Sequence, residues 1–220
     1  AENMLRGAGK LVVASALKDE VLVKEGREAD VIIVRAPLPA GGFEHAPRLR
    51  AAIRHGAGID MIPFEEATRA GVLVANVPGA NARTVAEHVL MSATMLLRRF
   101  RMVDADLRIK GWLAGREHAN AGHDIGGRTL GIVGFGNVGA TLANMAATGF
   151  GMKVVAYNRS PKEAAGIEFA NLQTVLARAD IVVLCCPLTA DTRGLIDAKH
   201  IALMKAGAFI VNVSRGPVIV

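Results

Sequence analysis

Short uninterrupted runs of apolar residues alternate along the chain with longer stretches in which apolar residues recur at helical spacing. Runs of four or five apolar residues are typical of strands that are covered on both faces of a parallel sheet. Their alternation with helical stretches predicts an α/β fold. The predicted strands are residues 11–14, 31–34, 72–75, 129–133, 153–157, 181–184 and 208–212.

The helical stretches divide the chain into two blocks. Residues 84–110 are predicted to form one long helix, and the glycine-rich residues 111–127 a linker. We therefore expect a first domain over residues 1–105, opening with the end of a helix at residues 1–9, and a second domain over residues 106–220. The other predicted helices are residues 20–27, 138–148, 172–177 and 198–204.

The composition and the lengths of the apolar runs exclude several classes of protein. Hydrophobic residues make up 51% of the chain and charged residues 21%, which suits packed cores and excludes a disordered protein. No apolar run approaches the length of a membrane span, and the polar N-terminus is not a secretory signal. The adjacent Cys185 and Cys186 would point to opposite faces of a strand and form no disulfide, so a reducing, cytoplasmic location is expected.

The formal net charge is +6, and a basic balance can indicate binding to nucleic acid. The basic residues are scattered, apart from Arg98, Arg99 and Arg101, and the chain has one Trp and one Tyr. We therefore expect a small anionic ligand and no nucleic acid. No spacing among the six histidines resembles a metal site, so no metal is predicted.

The strongest chemical signal is a G-x-G-x-x-G sequence between a predicted strand and a predicted helix. Gly134 allows a tight turn, Gly136 lets a pyrophosphate approach the backbone, and Gly139 lets the helix pack closely on the strand. Asn137 and Val138 begin the helix, whose free N–H groups and positive dipole end favour an anion. The pattern predicts a dinucleotide site, and a glycine-rich turn in an ordinary α/β protein is the alternative.

The end of the next predicted strand indicates which dinucleotide is bound. In NAD sites, an Asp or Glu about 20 residues after the glycine-rich loop binds the ribose 2′-hydroxyl. Asn158 occupies that place here, and Arg159 and Ser160 follow it. A guanidinium and a hydroxyl would bind a 2′-phosphate that a carboxylate would repel. The sequence therefore favours NADP, with NAD as the alternative if Arg159 is an ordinary surface residue.

Four further segments carry motifs: residues 55–60 (HGAGID); residues 76–78 (NVP) followed by Asn81 and residues 84–88 (TVAEH); residues 186–189 (CPLT) with residues 192–196 (TRGLI); and residues 211–217 (VNVSRGP). In this order they resemble the D-isomer-specific 2-hydroxyacid dehydrogenase family. Residues 81–87 are most similar to its phosphoglycerate dehydrogenase branch, and residues 158–160 to glyoxylate and hydroxypyruvate reductases that use NADP. The resemblance implies a flavodoxin-like substrate domain, then a Rossmann-type, doubly wound parallel sheet. It also implies a homodimer and hydride transfer between NAD(P)H and a small D-2-hydroxy acid or 2-oxo acid.

The resemblance also assigns individual residues. It makes Arg215 the catalytic arginine, whose planar guanidinium can hold a carboxylate or carbonyl oxygen with two hydrogen bonds. The backbone N–H groups of Ala57 and Gly58 would bind the substrate carboxylate, with Arg35 and Asn81 as further substrate contacts. A plain turn at Ala57 and Gly58 and a solvated Arg35 are the alternatives. The remaining expected cofactor contacts are Cys186, Pro187, Thr192, Val213, Ser214 and Arg215 itself, with a purely structural strand end as the alternative for Cys186 and Pro187.

Finally, the resemblance implies a glutamate and a histidine that form an acid–base pair after the arginine segment, beyond Val220. We therefore expect the sequence to be part of a longer protein, clipped at both ends and inactive by itself. Its dinucleotide fold would have four strands where six are usual. Two other functions stay open: a dinucleotide-sensing binding protein resembling the transcriptional corepressors of this fold, and formate dehydrogenase.

Overall fold

The computed structural model describes Leu5, Gly7 and residues 9–220. The helix end predicted at residues 1–9 falls on the part that is largely outside these residues. The chain divides into two units, Ala1–Ala80 and Asn81–Val220. In each unit, helices and parallel strands alternate as the apolar pattern predicts, so the α/β fold class is confirmed.

The first unit holds, in its described residues, a sheet of three parallel strands in sequence order. The strands are β1 (Val31–Val34), β2 (Ala51–Arg54) and β3 (Leu73–Ala75), and the helices are α1 (Asp19–Gly26) and α2 (Phe64–Arg69). The register pairs Val34 with Arg54 and Ile53 with Ala75, so the carboxyl ends of the strands lie at one edge. Buried Val34, Ala52 and Phe43 belong to the core of this unit.

The strand predicted at residues 11–14 is wrong, because these residues pair with no strand of the described chain. Leu11, Val12 and Val13 are exposed instead of buried. An apolar run becomes a strand only where a neighbouring strand accepts its backbone hydrogen bonds, and the sequence pattern does not contain that information.

The second unit is built on a sheet whose described strands lie in the order β6, β5, β4, β7, β8, all parallel. These strands are β4 (Thr129–Val133), β5 (Lys153–Tyr157), β6 (Glu168–Phe169), β7 (Ile181–Leu184) and β8 (Phe209–Asn212). Five strands in this order follow the Rossmann pattern 3-2-1-4-5. The prediction of four strands missed β6, because a strand of two residues has no recognisable apolar run.

Helices cover both faces of this sheet. The helices in the described part of this unit are α3 (Ala82–Leu97), α4 (Phe100–Lys110), α5 (Trp112–Ala119), α6 (Asn137–Phe150), α7 (Leu172–Arg178) and α8 (Ala198–Ala202). Along β7, Ile181 and Val183 pack into a core cluster with α3 and α6, whereas Val182 and Leu184 pack into another with α7. The uninterrupted apolar runs therefore have the predicted cause, since both faces of the strand are buried.

The division between the units falls at Ala80, before the division predicted after residue 105. Helix α3 belongs to the second unit because it packs against α6 and β8. The residues that fix it there are buried in the core of that unit: Ala86, Val89, Leu90, Ala93 and Leu97. Helical spacing showed that α3 has an apolar face, but not which sheet that face covers.

The single helix predicted over residues 84–110 is wrong, because α3 and α4 are separated by Arg98 and Arg99, of which Arg99 has the left-handed conformation (φ 52°). Helix α5 lies where a linker was predicted. Helices α4 and α5 form a hairpin in which a Cβ at Gly115 would lie 3.0 Å from Leu107 Cβ. His118 Nε2 and Asp106 Oδ2, at 2.9 Å, join the two helices. No proline or glycine marks the break at Arg99, so the sequence contained no stop signal.

None of the helices in the described part of the chain is long and apolar enough to cross a membrane.

Candidate functional site

The chemical motifs of the second unit lie together at the carboxyl edge of its sheet. The register pairs Val133 with both Tyr157 and Leu184, and Leu184 with Asn212. The segments that follow these strand ends therefore start at one edge: the glycine-rich loop, residues 158–160, residues 185–187 and residues 213–215. The strand order reverses between β4 and β7, and ligands of open parallel sheets bind at such a switch point.

The three glycines of the loop have different physical requirements. Gly134 has φ +99°, and a Cβ there would lie 2.6 Å from the Cys186 backbone N. A Cβ at Gly139 would lie 2.4 Å from the Gly134 carbonyl oxygen. A Cβ at Gly136 would meet nothing within 4 Å. Gly134 and Gly139 are therefore needed for packing within the protein, whereas the space beside Gly136 is open to a ligand.

Helix α6 begins beside this open space. Its N-cap residue, Gly136, offers no side chain to cap the first turn, and Asn137 is exposed. The N–H groups of Asn137, Val138 and Gly139 lie in the first turn, where a helix has no carbonyl acceptor for them. Unsatisfied donors at the positive end of a helix dipole suit an anionic group such as a pyrophosphate. The residues present therefore fit a dinucleotide.

Asn158 connects the end of β5 to the glycine-rich loop. Its Oδ1 accepts a hydrogen bond from the Phe135 N–H at 3.0 Å, and its Nδ2 donates to the Ser160 carbonyl oxygen at 2.9 Å. The side chain thus holds the loop in place from the neighbouring strand. This structural role was not part of the sequence interpretation, which considered only the missing charge at this position.

Arg159 forms an ion pair with a residue that the sequence interpretation did not single out. Its Nη1 donates to Asp191 Oδ2 at 3.0 Å, and the two side chains are 76% and 71% exposed. Asp191 lies in the loop after β7, together with the predicted cofactor contacts Pro187 and Thr192. Arg159 is therefore accessible to a ligand and at the same time close to a carboxylate.

The two cysteines follow β7 on opposite faces of the sheet, as predicted. Cys185 packs against the core cluster of α3 and α6, and Cys186 belongs to the cluster of α7. Cys185 Sγ donates to the Gly134 carbonyl oxygen at 3.2 Å. Burial, with a smaller effect from Cys186, raises the pKa of the Cys185 thiol to about 12, and burial also raises the pKa of Cys186. Both are therefore neutral packing residues at physiological pH.

Arg215 is carried by a turn that its neighbours hold from several sides. Asn212 Oδ1 accepts from the Ser214 N–H at 2.9 Å, and Asn212 Nδ2 donates to the Arg215 carbonyl oxygen at 2.9 Å. The Ser214 hydroxyl donates to the Cys186 carbonyl oxygen, and the Val213 N–H donates to the Leu184 carbonyl oxygen at 3.0 Å. Arg215 is half-buried, and its Nη1 donates to the Ser214 carbonyl oxygen at 2.8 Å.

Sequence interpretation missed the part that Asn212 has in this turn. An Asn whose side chain bonds the backbone N–H two residues later is a recognised turn former, so its position before Ser214 was the available signal.

Within the residues that the structure describes, no three His, Cys, Asp or Glu side chains are grouped as a metal site requires.

In the first unit, the predicted substrate residues Arg35, Ala57 and Gly58 lie after β1 and β2, at the carboxyl edge of that sheet. Asn76 Nδ2 donates to the Ala57 carbonyl oxygen at 2.6 Å, and Arg54 Nε donates to that of Gly58 at 3.1 Å. No backbone carbonyl group of the described chain accepts a hydrogen bond from the N–H groups of Ala57 and Gly58.

Two side chains therefore fix the carbonyl groups of this turn and leave its N–H groups available. Neither Arg54 nor Asn76 had been assigned a role from sequence, although Asn76 lies in one of the recognised motifs. Arg35 is exposed at the end of β1. Asn81 is placed in the second unit, where it is the N-cap residue of α3.

Comparison with known proteins agrees with this geometry. Residues 90–220 match the family described as D-isomer specific 2-hydroxyacid dehydrogenase, NAD binding domain. The chain is 36% identical over 210 residues to glyoxylate reductase from Thermococcus kodakarensis, with 91% of this chain and 63% of the relative covered. It is 40% identical over 195 residues to D-3-phosphoglycerate dehydrogenase from Mycobacterium bovis, with 86% of this chain and 36% of the relative covered.

A solved structure with a similar fold is an acyclic imino acid reductase in complex with NADPH and D-Arg. It superposes with a TM-score of 0.89 at 27% identity, and the match covers 99% of this chain and 71% of that one. The chain spans 63% of the length of the glyoxylate reductase and 36% of the length of the D-3-phosphoglycerate dehydrogenase, less than two thirds in both cases. Because the family match extends over more than half of the sequence, the chain belongs to the D-isomer-specific 2-hydroxyacid dehydrogenase family.

Proposed function

We propose that the protein containing this chain is an NAD(P)-dependent D-2-hydroxyacid dehydrogenase that interconverts a small 2-oxo acid and its D-2-hydroxy acid. One observation carries the proposal: the open space beside Gly136, between two glycines that admit no side chain, lies at the same sheet edge as Arg215. Relatives named glyoxylate reductase and D-3-phosphoglycerate dehydrogenase support a substrate of the glyoxylate or phosphoglycerate type. Hydroxypyruvate is a further candidate, because it is also a small 2-oxo acid.

In this proposal the second unit binds the cofactor and orients the substrate. The first-turn N–H groups of α6 bind the pyrophosphate, and Gly136 gives it access to the backbone. Bound nicotinamide supplies the hydride acceptor or donor. Arg215 binds the substrate carboxylate or carbonyl oxygen through its planar guanidinium and stabilises negative charge on that oxygen. Asn212 and Ser214 position Arg215 through the hydrogen bonds of its turn.

The remaining cofactor residues have supporting roles. Val213, Ser214, Cys186 and Pro187 line the carboxyl edge beside the cofactor. Thr192 shapes the loop after β7, because its Oγ1 donates to the Pro187 carbonyl oxygen at 2.6 Å. We assign binding of the dinucleotide to these residues as a group.

The first unit would bind the substrate carboxylate through backbone groups. The Ala57 and Gly58 N–H groups are suited to this because Asn76 and Arg54 hold the carbonyl groups of the same turn. Arg35 of this unit and Asn81 of the second unit are the further substrate contacts in the proposal. The proton that accompanies hydride transfer is assigned to the histidine–glutamate pair that the family resemblance implies elsewhere in the full-length protein.

We also propose that NADP is preferred over NAD. Arg159 is exposed at the end of β5, and Asn158 brings no negative charge to the position where NAD sites carry an acid. A charge-assisted hydrogen bond contributes about 1.5–3 kcal/mol, and exposure and salt bring the value towards the lower limit.

We further propose a homodimer that associates through the α4–α5 hairpin. Three large apolar side chains of this hairpin are strongly exposed: Ile109 (80%), Trp112 (67%) and Leu113 (76%). Exposed apolar groups of this size on adjoining helices are typical of protein interfaces.

We propose a cytoplasmic location as well, because Cys185 and Cys186 form no disulfide. Fractionation of the source cells tests this location.

The different requirements at Gly136 and Gly139 of the glycine-rich loop can be separated by substitution. Gly136→Ala should lower the affinity for NADPH and NADH at least about tenfold, while the free energy of unfolding changes by less than about 1 kcal/mol. Gly139→Ala should instead lower the free energy of unfolding by about 1–3 kcal/mol, because its Cβ would overlap the Gly134 carbonyl oxygen. Cofactor fluorescence titration and denaturant unfolding measure the two effects.

Gly149→Ala is the matched control, because its Cβ would also meet nothing within 4 Å and it lies in the same helix. It should leave cofactor affinity unchanged. Unaltered cofactor binding by Gly136→Ala would exclude the loop as the pyrophosphate site.

Arg215→Lys in the full-length protein should lower kcat/KM about 100-fold or more, with little change in cofactor Kd, because an ammonium group cannot reproduce the planar guanidinium. Steady-state kinetics and cofactor titration give the two values. Arg178→Lys, in an exposed ion pair on α7, serves as the control. Wild-type turnover of Arg215→Lys would remove Arg215 from the mechanism. A full-length protein that binds cofactor but turns over no 2-oxo acid would favour a dinucleotide-sensing role.

For cofactor preference, Arg159→Ala should weaken NADPH binding about tenfold and leave NADH binding nearly unchanged. Asn158→Asp should also weaken NADPH binding, because it adds a charge that repels the 2′-phosphate while it keeps an oxygen for the Phe135 N–H. Dissociation constants for both cofactors at two salt concentrations check these expectations. Equal wild-type affinities for NADPH and NADH, unaffected by Arg159→Ala, would show that Arg159 is an ordinary surface residue.

For the dimer, Leu113→Glu should raise the dissociation constant of self-association at least about tenfold, because a carboxylate replaces an apolar contact. Sedimentation equilibrium measures this constant. Leu17→Glu, at an equally exposed leucine of the first unit, should have no effect. A wild-type protein that stays monomeric at micromolar concentration would contradict the proposal.

A further inference from the structure

A carboxylate lies within hydrogen-bond distance of the guanidinium that would bind the 2′-phosphate of NADP. Arg159 Nη1 and Asp191 Oδ2 are 3.0 Å apart. We propose that Asp191 competes with the 2′-phosphate for Arg159 and thereby limits how strongly the site discriminates between NADPH and NADH. The inference rests on the proposed function, since it requires that a dinucleotide binds at this edge.

The loop that carries Asp191 is closed by its own hydrogen bonds. Thr192 Oγ1 donates to the Pro187 carbonyl oxygen at 2.6 Å and accepts from the Thr189 N–H at 2.8 Å. The Arg193 N–H donates to the Thr189 carbonyl oxygen at 3.0 Å. Asp191 lies inside this turn, immediately before Thr192. The turn therefore holds the carboxylate close to Arg159.

The ion pair leaves the Arg159 guanidinium accessible to a ligand, but the Asp191 carboxylate neutralises its positive charge. The two side chains are 76% and 71% exposed, so a ligand has access to Arg159 from solvent. A guanidinium has five N–H donors, so one bond to Asp191 leaves others for a phosphate. The arginine and the aspartate together carry no net charge, however, and the carboxylate repels a phosphate that is largely dianionic. NADH has no 2′-phosphate and avoids this repulsion.

Asp191 is distinct from the acid that NAD sites use to bind the ribose. That acid follows the second strand of the dinucleotide fold, a position occupied here by Asn158 after β5. Asp191 follows β7 and acts on the cofactor through Arg159. This arrangement predicts that loss of its charge affects NADPH and not NADH.

The test is a double-mutant cycle in which NADPH and NADH dissociation constants are measured by fluorescence titration. The proteins are wild type, Asp191→Asn, Arg159→Ala and the double variant. Asp191→Asn should raise the affinity for NADPH about threefold to fivefold and change that for NADH less than about twofold. Its NADPH affinity should also fall more steeply with salt than that of wild type, because Arg159 is then uncompensated. In the Arg159→Ala background the gain should disappear.

Asp30→Asn is the matched control, because it removes the same charge from an exposed ion pair, with Arg48, in the first unit. It should change neither dissociation constant. Unchanged NADPH affinity in Asp191→Asn would overturn the inference, and so would an equal gain in the absence of Arg159. A wild-type protein that binds neither cofactor would instead overturn the proposed function, so the two failures are distinguishable.

Discussion

The cofactor groups that follow β4, β5 and β7 take their positions from the parallel pairing of β4 with β5 on one side and with β7 on the other. This register aligns Val133, Tyr157 and Leu184, so the chain leaves all three strands at the same edge. Because the strands are buried on both faces, a shift by one residue would transfer each apolar side chain to the wrong core. Packing of the two cores therefore fixes the geometry of the edge.

Close packing at this edge also explains why the loop can be both rigid and open. Gly134 fits against the backbone of Cys186, and Gly139 fits against the carbonyl group of Gly134, so neither position has room for a side chain. Asn158 adds a hydrogen bond from the neighbouring strand to Phe135. The loop is thereby held from β5, β7 and α6, while the side at Gly136 faces open space. Such preorganisation reduces the entropy that a bound ligand would otherwise lose.

The sequence predicted the elements whose signals are local and strong. Uninterrupted apolar runs located most strands, and the glycine spacing located the loop with its strand and helix. The prediction failed where the deciding contact was not local. The left-handed Arg99 ends α3 without a proline or glycine to announce it, and β6 exists because β5 offers an edge to pair with. The ion pair of Arg159 with Asp191 joins residues 32 positions apart, which no local motif can indicate.

The two adjacent cysteines place one thiol on each face of the sheet of the second unit. Half-buried Cys185 packs against the layer of α3 and α6, and buried Cys186 packs against the layer of α7. A neutral thiol that is packed beneath a helix reacts with a disulfide reagent when local unfolding moves the helix away and exposes the sulfur to solvent. The modification rates of the two sulfurs would therefore report how often each helical layer detaches from the sheet, independently of the other layer.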